Sequence, residues 1–467
     1  MKSRAVHFFP KDVLYGRLRP YLNKVITLKF QGLASAEFIP LTLPTGISPS
    51  FIQYRLNSAD FVTFASAIDN GDRPRVDYDQ IGGFDFLIPP YLEQLRIVHS
   101  IESYFSRLDD AVAALERVRR NLKRYRASVL KAAVEGRLVP TEAELARREN
   151  REYEPAGVLL ARILEERRRR WIEAQAEQAA TRAEAKAIKA GKSLTPEQKA
   201  EVIEKERVKA AGKYKEPAAP DTTNLPDLPE GWCWATLSQL GELNRGKSKH
   251  RPRNDPRLLD GPYPFIQTGE VRKSDGFITD YHSTYSEYGL QQSRLWPSGT
   301  LCITIAANIA ETGILSFPAC FPDSIVGFCN SENFQLVQFI ELFIRTAKSN
   351  LEEFAPATAQ KNINLSVLSN VFVPLPPIDE QSRIVDEVHR LITILRFLNT
   401  TSEASLTRCQ RLRQSILKWA FEGRLVDQDP NDEPASVLLE RIKQERATLE
   451  AATKNNRKRT GRKGKRT

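Results

Sequence analysis

The chain contains one stretch twice: Pro90-Tyr-Leu-Glu-Gln-Leu-Arg-Ile-Val98 recurs as Pro377-Ile-Asp-Glu-Gln-Ser-Arg-Ile-Val385. The correspondence continues without a gap, 287 positions further along, to the endings Glu135-Gly-Arg-Leu-Val139 and Glu422-Gly-Arg-Leu-Val426. Between these two signatures, both copies carry a heptad pattern of apolar residues. Such a repeat buries its seam only against another helix. The sequence therefore predicts two long helices that pair as an antiparallel coiled coil.

The predicted seam begins at Ile101 in the first helix and at Val388 in the second. The residues expected to pair the helices are Ile101, Leu108, Leu115, Leu122, Val129, Val388, Leu395, Leu412 and Ile416, with Tyr104, Ala111, Val118, Tyr125, Leu391, Leu398, Ser405 and Trp419 among the intervening seam positions. From Ile101 to Glu135 a helix would span about 50 Å at roughly 1.5 Å per residue. Gly136 and Gly423 follow the last periodic residues and are predicted C-caps.

Length and composition limit the class of protein. A chain of 467 residues is too long for one core and suggests about three domains. It has no apolar run of about 18 residues and no signal-peptide pattern, so we expect a cytoplasmic protein without a membrane partner. The five cysteines form no Cys-x-x-Cys pair, and the five histidines lack ligand spacing. Neither a disulfide framework nor a metal site is expected.

The net charge of +11 is concentrated at one end of the chain. Residues 454–467 contain eight basic and no acidic side chains, so subtraction leaves the remainder at about +3. Global charge therefore says little about the folded part. Local clusters of arginine and lysine must carry any argument for nucleic-acid binding.

Hydrophobic patterning divides the chain into six regions of an α+β protein. They are a first strand-rich domain at 1–90, a helical spacer region at 91–212, a linker at 213–227, a second strand-rich domain at 228–376, a distal helical region at 377–450 and a basic tail at 451–467. The later part of the second domain aligns with residues 10–90 at the same offset of 287. The repeating unit is thus a globular domain followed by a long helix.

The paired signatures, with Leu228-Pro-Glu-Gly-Trp232 and Pro264-Phe-Ile-Gln-Thr-Gly269, resemble the specificity subunit of type I restriction-modification systems. The resemblance covers nearly the whole chain. It implies two target-recognition domains that each read half of a bipartite double-stranded DNA sequence. It also implies that the helices space these domains and dock the methyltransferase (modification) subunits.

The same resemblance implies a non-catalytic chain that binds no cofactor directly. S-adenosylmethionine, ATP and Mg²⁺ would belong to the modification subunits and to a restriction-translocation subunit that joins through the complex. That complex would be a site-specific deoxyribonuclease and an adenine DNA methyltransferase. Within this chain, neither catalytic nor metal-binding residues are expected.

The first domain departs from the family pattern. The second domain has about seventy residues ahead of Pro297, whereas the first has nine ahead of the corresponding Pro10. We therefore expect the front half of the first domain to be missing. This leaves open a misplaced start, an inactive subunit or one that reads a single half-site.

The candidate DNA contacts lie in both domains. A basic loop contains Arg245, Lys247, Lys249, Arg251 and Arg253, five cations within nine residues, which suits phosphate or base contact. Further candidates are Gln267, Thr268, Gln360, Lys361 and Asn362 in the second domain and Tyr15, Arg17, Arg19, Arg73 and Arg75 in the first. Arginine suits guanine edges, and glutamine or asparagine suits adenine.

Two other functions remain as alternatives. Gly241-Glu-Leu-Asn-Arg-Gly-Lys-Ser248 fits the phosphate-loop pattern of ATP-hydrolysing proteins, although that motif needs a helix starting at Lys247, which Pro252 and Pro256 oppose. A structural coiled-coil adaptor would lack DNA binding. Ile88-Pro-Pro-Tyr91 resembles a methyltransferase motif, but isoleucine cannot hydrogen-bond the target amine.

Overall fold

The computed structural model describes residues 5–69, 71–191, 193–250, 252, 255–306, 310–330, 333–347 and 364–463. The chain divides into two compact units. Unit 1 comprises residues 1–121 and 398–467, and unit 2 comprises residues 122–397. Each unit combines β-sheets with helices, as expected of the predicted α+β class. Among the helices in these described ranges, none is both long and apolar enough to cross a membrane.

The first strand-rich segment packs small sheets against short helices. Its strands are β1 (Ala5–Phe8), β2 (Val13–Gly16), β3 (Val25–Thr27), β4 (Gly32–Ser35) and β5 (Phe38–Leu41), and its helices are α1 (Pro49–Leu56), α2 (Ala59–Ala67) and α3 (Tyr78–Gly82). Strand β2 pairs antiparallel with β3 and β5, and β1 pairs with β4. Helix α1 begins where the Ser48 hydroxyl accepts the N–H of Phe51 and Pro49 occupies the first turn.

The central region is helical. It consists of α4 (Tyr91–Val134), α5 (Glu142–Glu149), α6 (Ala156–Lys189) and α7 (Pro196–Ala211). Helices α5 and α7 begin with capping boxes at Thr141 and Thr195. In each, the side chain three residues later accepts a hydrogen bond from the backbone N–H of the capping threonine. Residues 213–227 form neither helix nor strand.

The second strand-rich segment is larger. Its elements are β6 (Cys233–Thr236), α8 (Leu237–Leu240), β7 (Glu242–Arg245), β8 (Leu259–Phe265), α9 (Thr268–Lys273), β9 (Phe277–Ile278), β10 (Ser283–Tyr285), α10 (Glu287–Gln291), β11 (Leu301–Thr304), β12 (Thr312–Leu315), β13 (Ile325–Cys329), α11 (Phe334–Ala347), α12 (Leu365–Ser369) and β14 (Phe372–Leu375). Five strands form one sheet in the order β7-β13-β11-β12-β9, in which only the β12–β9 pair is parallel. Strand β8 pairs with β10, and β6 pairs with β14. The central strand β11 is buried along its whole length, as a Leu-Cys-Ile-Thr strand with few polar atoms allows.

The last helices, α13 (Ile378–Phe421) and α14 (Ala435–Lys463), complete the repeat. Helices α4 and α13 are both 44 residues long and start and end at equivalent positions of the repeat. The repeated Glu-Gln pair has a structural role, since Gln94 and Gln381 are both fully buried. Their side-chain N–H groups donate to the carbonyls of Pro89 and Pro376, at 3.0 and 2.8 Å. Each glutamine thereby fixes the entry into a long helix.

The two long helices pair antiparallel, as predicted. In unit 1, Arg413 forms an ion pair with Asp109, and Arg119 forms one with Glu403 at 3.3 Å. As the residue number rises from 109 to 119 on α4, it falls from 413 to 403 on α13. In unit 2, Arg126 of α4 and Arg396 of α13 both bind the carboxylate of Asp275.

The buried stripe shares the predicted positions that recur every seven residues from Ile101 and Val388, and it differs from the predicted seam at the intervening positions. Eight of the nine predicted pairing residues are buried or half-buried, namely Ile101, Leu108, Leu115, Leu122, Val129, Val388, Leu395 and Ile416. Leu412 is 41% exposed, and its assignment to the seam was wrong. After Ile101, the predicted seam continues at Tyr104, three residues later. In the structure, the next residue of the buried stripe is Phe105, four residues later.

The error at the intervening positions has a physical origin in the charged residues of the true stripe. That stripe includes the half-buried Arg126 and Arg413, which a search for apolar residues does not select. Long arginine stems pack along apolar surface while their charged ends reach a carboxylate. At the intervening positions of the predicted seam, Tyr104 and Val118 are each 43% exposed and Tyr125 is 51% exposed.

Both predicted C-caps are confirmed. Gly136 and Gly423 have φ values of +66° and +71°, a region that side chains disfavour. The following N–H groups, of Arg137 and Arg424, donate back to the carbonyls of Ala132 and Trp419, at 2.8 Å in both copies. This bonding ends each long helix with a Schellman motif.

Candidate nucleic-acid interface

The basic loop leaves the edge of the five-stranded sheet in unit 2. Strand β7 lies at that edge, and Arg245 at its end is opposite Val326 of β13. The next N–H groups, of Gly246 and Lys247, donate to the carbonyls of Ile325 and Phe321, at 2.9 and 3.1 Å. A β-carbon at Gly246 would collide with backbone carbonyl oxygens, so only glycine permits this close approach.

Side chains alternate along this loop. Gly246 and Ser248 are buried, whereas Arg245, Lys247 and Lys249 are exposed. The Ser248 hydroxyl lies 3.3 Å from that of Tyr285. The side-chain oxygen of Gln292 accepts the N–H groups of Lys249 and His250, at 2.6 and 3.0 Å. The loop is thus held from one side and presents a row of cations on the other.

The cations of this row are not neutralised by nearby acids. Within the described part of the chain, no carboxylate forms an ion pair with Lys247 or Lys249. The guanidinium of Arg245 donates to the backbone carbonyl of Asp323 at 2.7 and 3.0 Å, which fixes its position but leaves its charge. Exposed cations on a fixed backbone suit phosphate oxygens. Arg251 and Arg253 lie outside the described residues.

An acidic residue that the sequence analysis missed closes the loop. The carboxylate of Asp255 forms an ion pair with the guanidinium of Arg257 at 2.7 Å and lies 2.8 Å from the Nε2 atom of His250. The Arg257 guanidinium is the main cause that holds the pKa of Asp255 well below its usual range. Tyr288 packs edge-on against His250 and beneath Arg257. The carboxylate of Asp255 is therefore already bonded within the domain. The sequence signal for this residue was the Asp-Pro pair, which starts a short 3₁₀ turn at Pro256.

A short segment connects the basic loop to the end of β8. Cys320 exchanges backbone hydrogen bonds with Pro264 and Ile266, at 2.7 and 2.8 Å, and the next residue, Phe321, accepts the N–H of Lys247. Two predicted contacts follow directly after Ile266: Gln267 is exposed and Thr268 is half-buried. The structure thereby places these polar residues and the basic loop on either side of one segment.

Helix α9 carries further cations beyond the predicted set. The N–H of Gln267 donates to the carboxylate of Glu270 at 3.1 Å, which starts the helix. Arg272 and Lys273 at its end are exposed, and the charged run after Val271 was a signal for them. The predicted contacts Gln360, Lys361 and Asn362 lie outside the described residues.

The two arginine stretches predicted in unit 1 lie side by side. Arg19 donates its N–H to the carbonyl of Pro74 at 2.8 Å, and Val76 donates to the carbonyl of Arg17 at 3.0 Å. Internal bonds occupy two of the predicted side chains: Arg17 donates to the Val76 carbonyl, and Arg75 pairs with Glu37. Arg19 and Arg73 are exposed, with no ion-pair partner in the described ranges.

Tyr15 is not available to DNA. Its side chain is fully buried, its ring packs edge-on against Phe61 at 5.6 Å, and burial raises its pKa to about 12. The prediction of Tyr15 as a DNA contact is therefore wrong. All four residues of β2 are buried, so alternation along the strand did not identify an outward face.

The phosphate-loop alternative lacks its required geometry. Residues 242–245 form a strand, and residues 246–250 are irregular, so no helix begins at Lys247 to direct its amides at a phosphate. Among the described residues, no cluster of three or more histidine, cysteine or acidic side chains could hold a metal ion. Burial raises the pKa of Cys233 to about 11, which is expected of a thiol that packs as an apolar side chain.

Comparison with known proteins identifies the class of the second domain. Residues 229–408 match the family model described as Type I restriction modification DNA specificity domain. The EcoAI specificity subunit of Escherichia coli is 25% identical over 390 residues, which cover 70% of this chain and 56% of that protein. The EcoBI specificity subunit of Escherichia coli is 24% identical over 373 residues, which cover 77% and 64%. The chain thus matches less than two thirds of the length of these relatives.

Solved structures show the same fold. The HsdS subunit from Thermoanaerobacter tengcongensis superposes with a TM-score of 0.52 and 17% identity, over 89% of this chain and 82% of that one. A chain from a study of assembly and conformational transition in the type I R-M system superposes with a TM-score of 0.55 and 18% identity, over 91% and 85%. The matched part, residues 229–408, is thus similar to a type I restriction modification DNA specificity domain, and the fold is similar to that of HsdS subunits. The chain is similar to the specificity subunits of type I restriction enzymes, as its paired signatures predict.

Proposed function

We propose that this chain is the DNA sequence-recognition subunit of a type I restriction-modification complex. The row of exposed cations after β7 is the observation that carries this proposal. Lys247 and Lys249 contact backbone phosphates and fix the domain on the duplex. Gln267 and Thr268, across the Cys320–Phe321 segment, contact base edges in this proposal, because amide and hydroxyl groups can read donor and acceptor patterns.

Unit 1 contributes less to recognition in this proposal. Tyr15 is buried, and Arg17 and Arg75 are engaged in internal bonds. Arg19 and Arg73 remain as phosphate contacts. A bipartite target would therefore be read mainly in the half bound by unit 2.

The long helices present apolar side chains on which modification subunits can dock. The exposed positions include Phe397 at 70% and Trp419 at 53%. Exposed apolar groups of this size are typical of protein interfaces. Replacement of Trp419 by serine should reduce co-purification with the modification subunit and leave the melting temperature unchanged. Unchanged co-purification would contradict docking at this residue.

Catalysis in this proposal belongs to the partner subunits. S-adenosylmethionine, ATP and Mg²⁺ bind the modification and restriction-translocation subunits, and this chain supplies DNA specificity. The complex would cleave DNA and methylate adenine.

The test of DNA binding is salt dependence. Replacement of Lys247 and Lys249 by alanine should lower the magnitude of the slope of log K against log salt concentration by about 1.8, since each lost phosphate contact removes roughly 0.9. The measurement is fluorescence anisotropy of a labelled duplex titrated with the full chain. Lys213 and Lys215 are two exposed lysines with the same spacing in the linker, and their alanine variant is the matched control. An equal loss of slope in both variants would contradict a contact at the basic loop.

A further inference from the structure

In unit 2, the segment 228–236 fills a groove beside the start of α13. The indole N–H of Trp232 donates to the carboxylate of Glu380 at 3.0 Å, and the other carboxylate oxygen accepts the N–H of Glu142 at 2.8 Å. The carbonyl of Gly231 accepts the N–H of Ala156 at 2.8 Å. Strand β6 then pairs antiparallel with β14.

The equivalent groove in unit 1 is built from matching residues. Glu93 corresponds to Glu380 in the repeat, and Gly423 corresponds to Gly136. The sequence Glu-Pro-Ala at 154–156 recurs at 433–435, so Ala435 corresponds to Ala156. Residues 85–88 correspond to β14 but form no strand.

Among the described residues, none fills this second groove as segment 228–236 fills the first. A β-carbon at Gly136 would lie 2.6 Å from Pro229 and 3.0 Å from Trp232, whereas one at Gly423 would have nothing within 4 Å. Glu93 as a residue is 4% exposed, and within the described residues its carboxylate accepts no hydrogen bond. Beside it lies a cavity of about 300 Å³, lined by Glu93, Ile97, Phe421, Gly423 and Ala435 among others.

The exposed edge of this groove also lacks a partner. Leu87 is 83% exposed, and residues 84–90 form no strand pairing in the described structure. Extended backbone with unpaired N–H and carbonyl groups can accept another strand. The groove thus offers three things at once: an acceptor for an indole N–H, room for its ring and a partner for a strand.

We propose that this groove of unit 1 binds an extended segment of a separate polypeptide with the chemistry of Leu228–Thr236. Its tryptophan enters the cavity and donates to Glu93. The glycine before the tryptophan accepts the N–H of Ala435, and the following residues add a strand to residues 85–88. The carboxylate of Glu380 accepts two hydrogen bonds, whereas that of the equivalent Glu93 accepts none within the described residues. This difference favours an occupant with an indole N–H over a purely apolar one, because an apolar side chain would leave Glu93 buried without a partner.

The probe is a labelled synthetic peptide with the sequence of residues 226–238, in which serine replaces Cys233 to prevent oxidation. Fluorescence anisotropy with the full chain should give saturable one-to-one binding. The peptide that carries Trp232→Ala should bind at least tenfold more weakly, since it loses the ring and a buried hydrogen bond. Equal binding of both peptides, or absence of binding, would overturn the proposal.

Two variants of the chain locate the bound peptide. Ala435→Phe fills the groove and should reduce binding at least tenfold, whereas Ser436→Phe adds the same ring at the next, exposed position and should not. Circular dichroism checks that both variants are folded. Binding that survives Ala435→Phe in a folded chain would place the peptide elsewhere. Concentration-dependent dimers that the peptide dissociates and that Ala435→Phe abolishes would identify a second copy of the chain as the occupant and would overturn the proposal of a separate partner.

Discussion

The same arginine position binds different carboxylates in the two copies of the repeat. In unit 2, Arg383 at the start of α13 lies 2.5 Å from Glu142, which begins the eight-residue helix α5 after the other long helix. In unit 1, the equivalent Arg96 lies 2.6 Å from Asp432, in a turn where the second copy has no counterpart of α5. Each copy therefore ties the start of one long helix to the chain that follows the other. The comparison teaches that the ion pair is retained while the element supplying the acid changes.

The largest expected effect concerns equivalent seam positions in the two copies. Leu395 is 7% exposed and Leu108 is half-buried. Leu395→Glu should lower the free energy of unfolding by about 3–5 kcal/mol, because a carboxylate would be buried without a partner. Leu108→Glu should cost about half as much. The measurement is urea denaturation followed by circular dichroism.

Leu412 is the control for the seam, since it has the same side chain in the same helix but is exposed. Leu412→Glu should change stability by less than about 0.5 kcal/mol. If Leu412→Glu destabilised the chain as strongly as Leu395→Glu, the observed phase of the stripe would be wrong.

The next prediction separates the two arginines. Arg96→Ala should cost about 2–3 kcal/mol, because the side chain of Asp432 is 5% exposed and has no other cationic partner among the described residues. Arg383→Ala should cost about 1–2 kcal/mol, because Glu142 keeps Arg151 at 2.5 Å. Thermal unfolding monitored by calorimetry measures both losses.

A second substitution tests the cause of the loss at Arg96. Asp432→Asn in the Arg96→Ala background removes the buried charge and should recover most of the stability. A double variant that remains as unstable as Arg96→Ala would show that lost packing, rather than an unpaired carboxylate, is responsible.

The smallest expected effect is an opposite pH dependence of two buried acids. Burial raises the pKa of Glu93 above its usual value. Burial alone would also raise the pKa of Glu142, but the ion pairs with Arg151 and Arg383 outweigh it, and its pKa is lowered. A carboxyl group whose pKa is raised on folding disfavours the folded state at neutral pH, whereas one whose pKa is lowered stabilises it there.

Glutamine variants should therefore differ in sign. At pH 7, Glu93→Gln should raise the unfolding temperature and Glu142→Gln should lower it, each by less than about 1 kcal/mol in stability. The first difference should vanish as the pH falls through the raised pKa of Glu93. The second should persist to lower pH, until Glu142 itself becomes protonated. Changes of the same sign in the unfolding temperature at pH 7 would contradict the opposite pKa shifts of Glu93 and Glu142.

The sequence was most informative where the two copies agree. The C-terminal ends of α4 and α13, with the caps at Gly136 and Gly423, followed from repeated local signals, because helix ends depend on nearby residues. The intervening positions of the seam did not, because both alternatives contain bulky apolar residues and the true one includes Arg126 and Arg413. Pairing of arginine with an acid distant in sequence cannot be read from periodicity.

The candidate interface shows the same division. Five cations within nine residues indicated a basic loop that includes Lys247 and Lys249. Its conformation, however, depends on Gln292, Phe321 and Asp255, which approach only in the folded domain. Tyr15 was misplaced because a strand with both faces buried has the same alternation as one with an exposed face.

The ion pairs of Asp275 oppose rotation of the strand-rich domain of unit 2 about its own segments of the long helices. The carboxylate lies between α9 and β9 and binds Arg126 of α4 and Arg396 of α13, with Arg345 of α11 at 3.4 Å. Rotation of the domain about the helix axis would separate these charges. Because Asp275 is 40% exposed, dissolved salt screens the attraction. The torsional stiffness of this joint should therefore decrease with ionic strength, whereas the apolar core beneath it should not loosen.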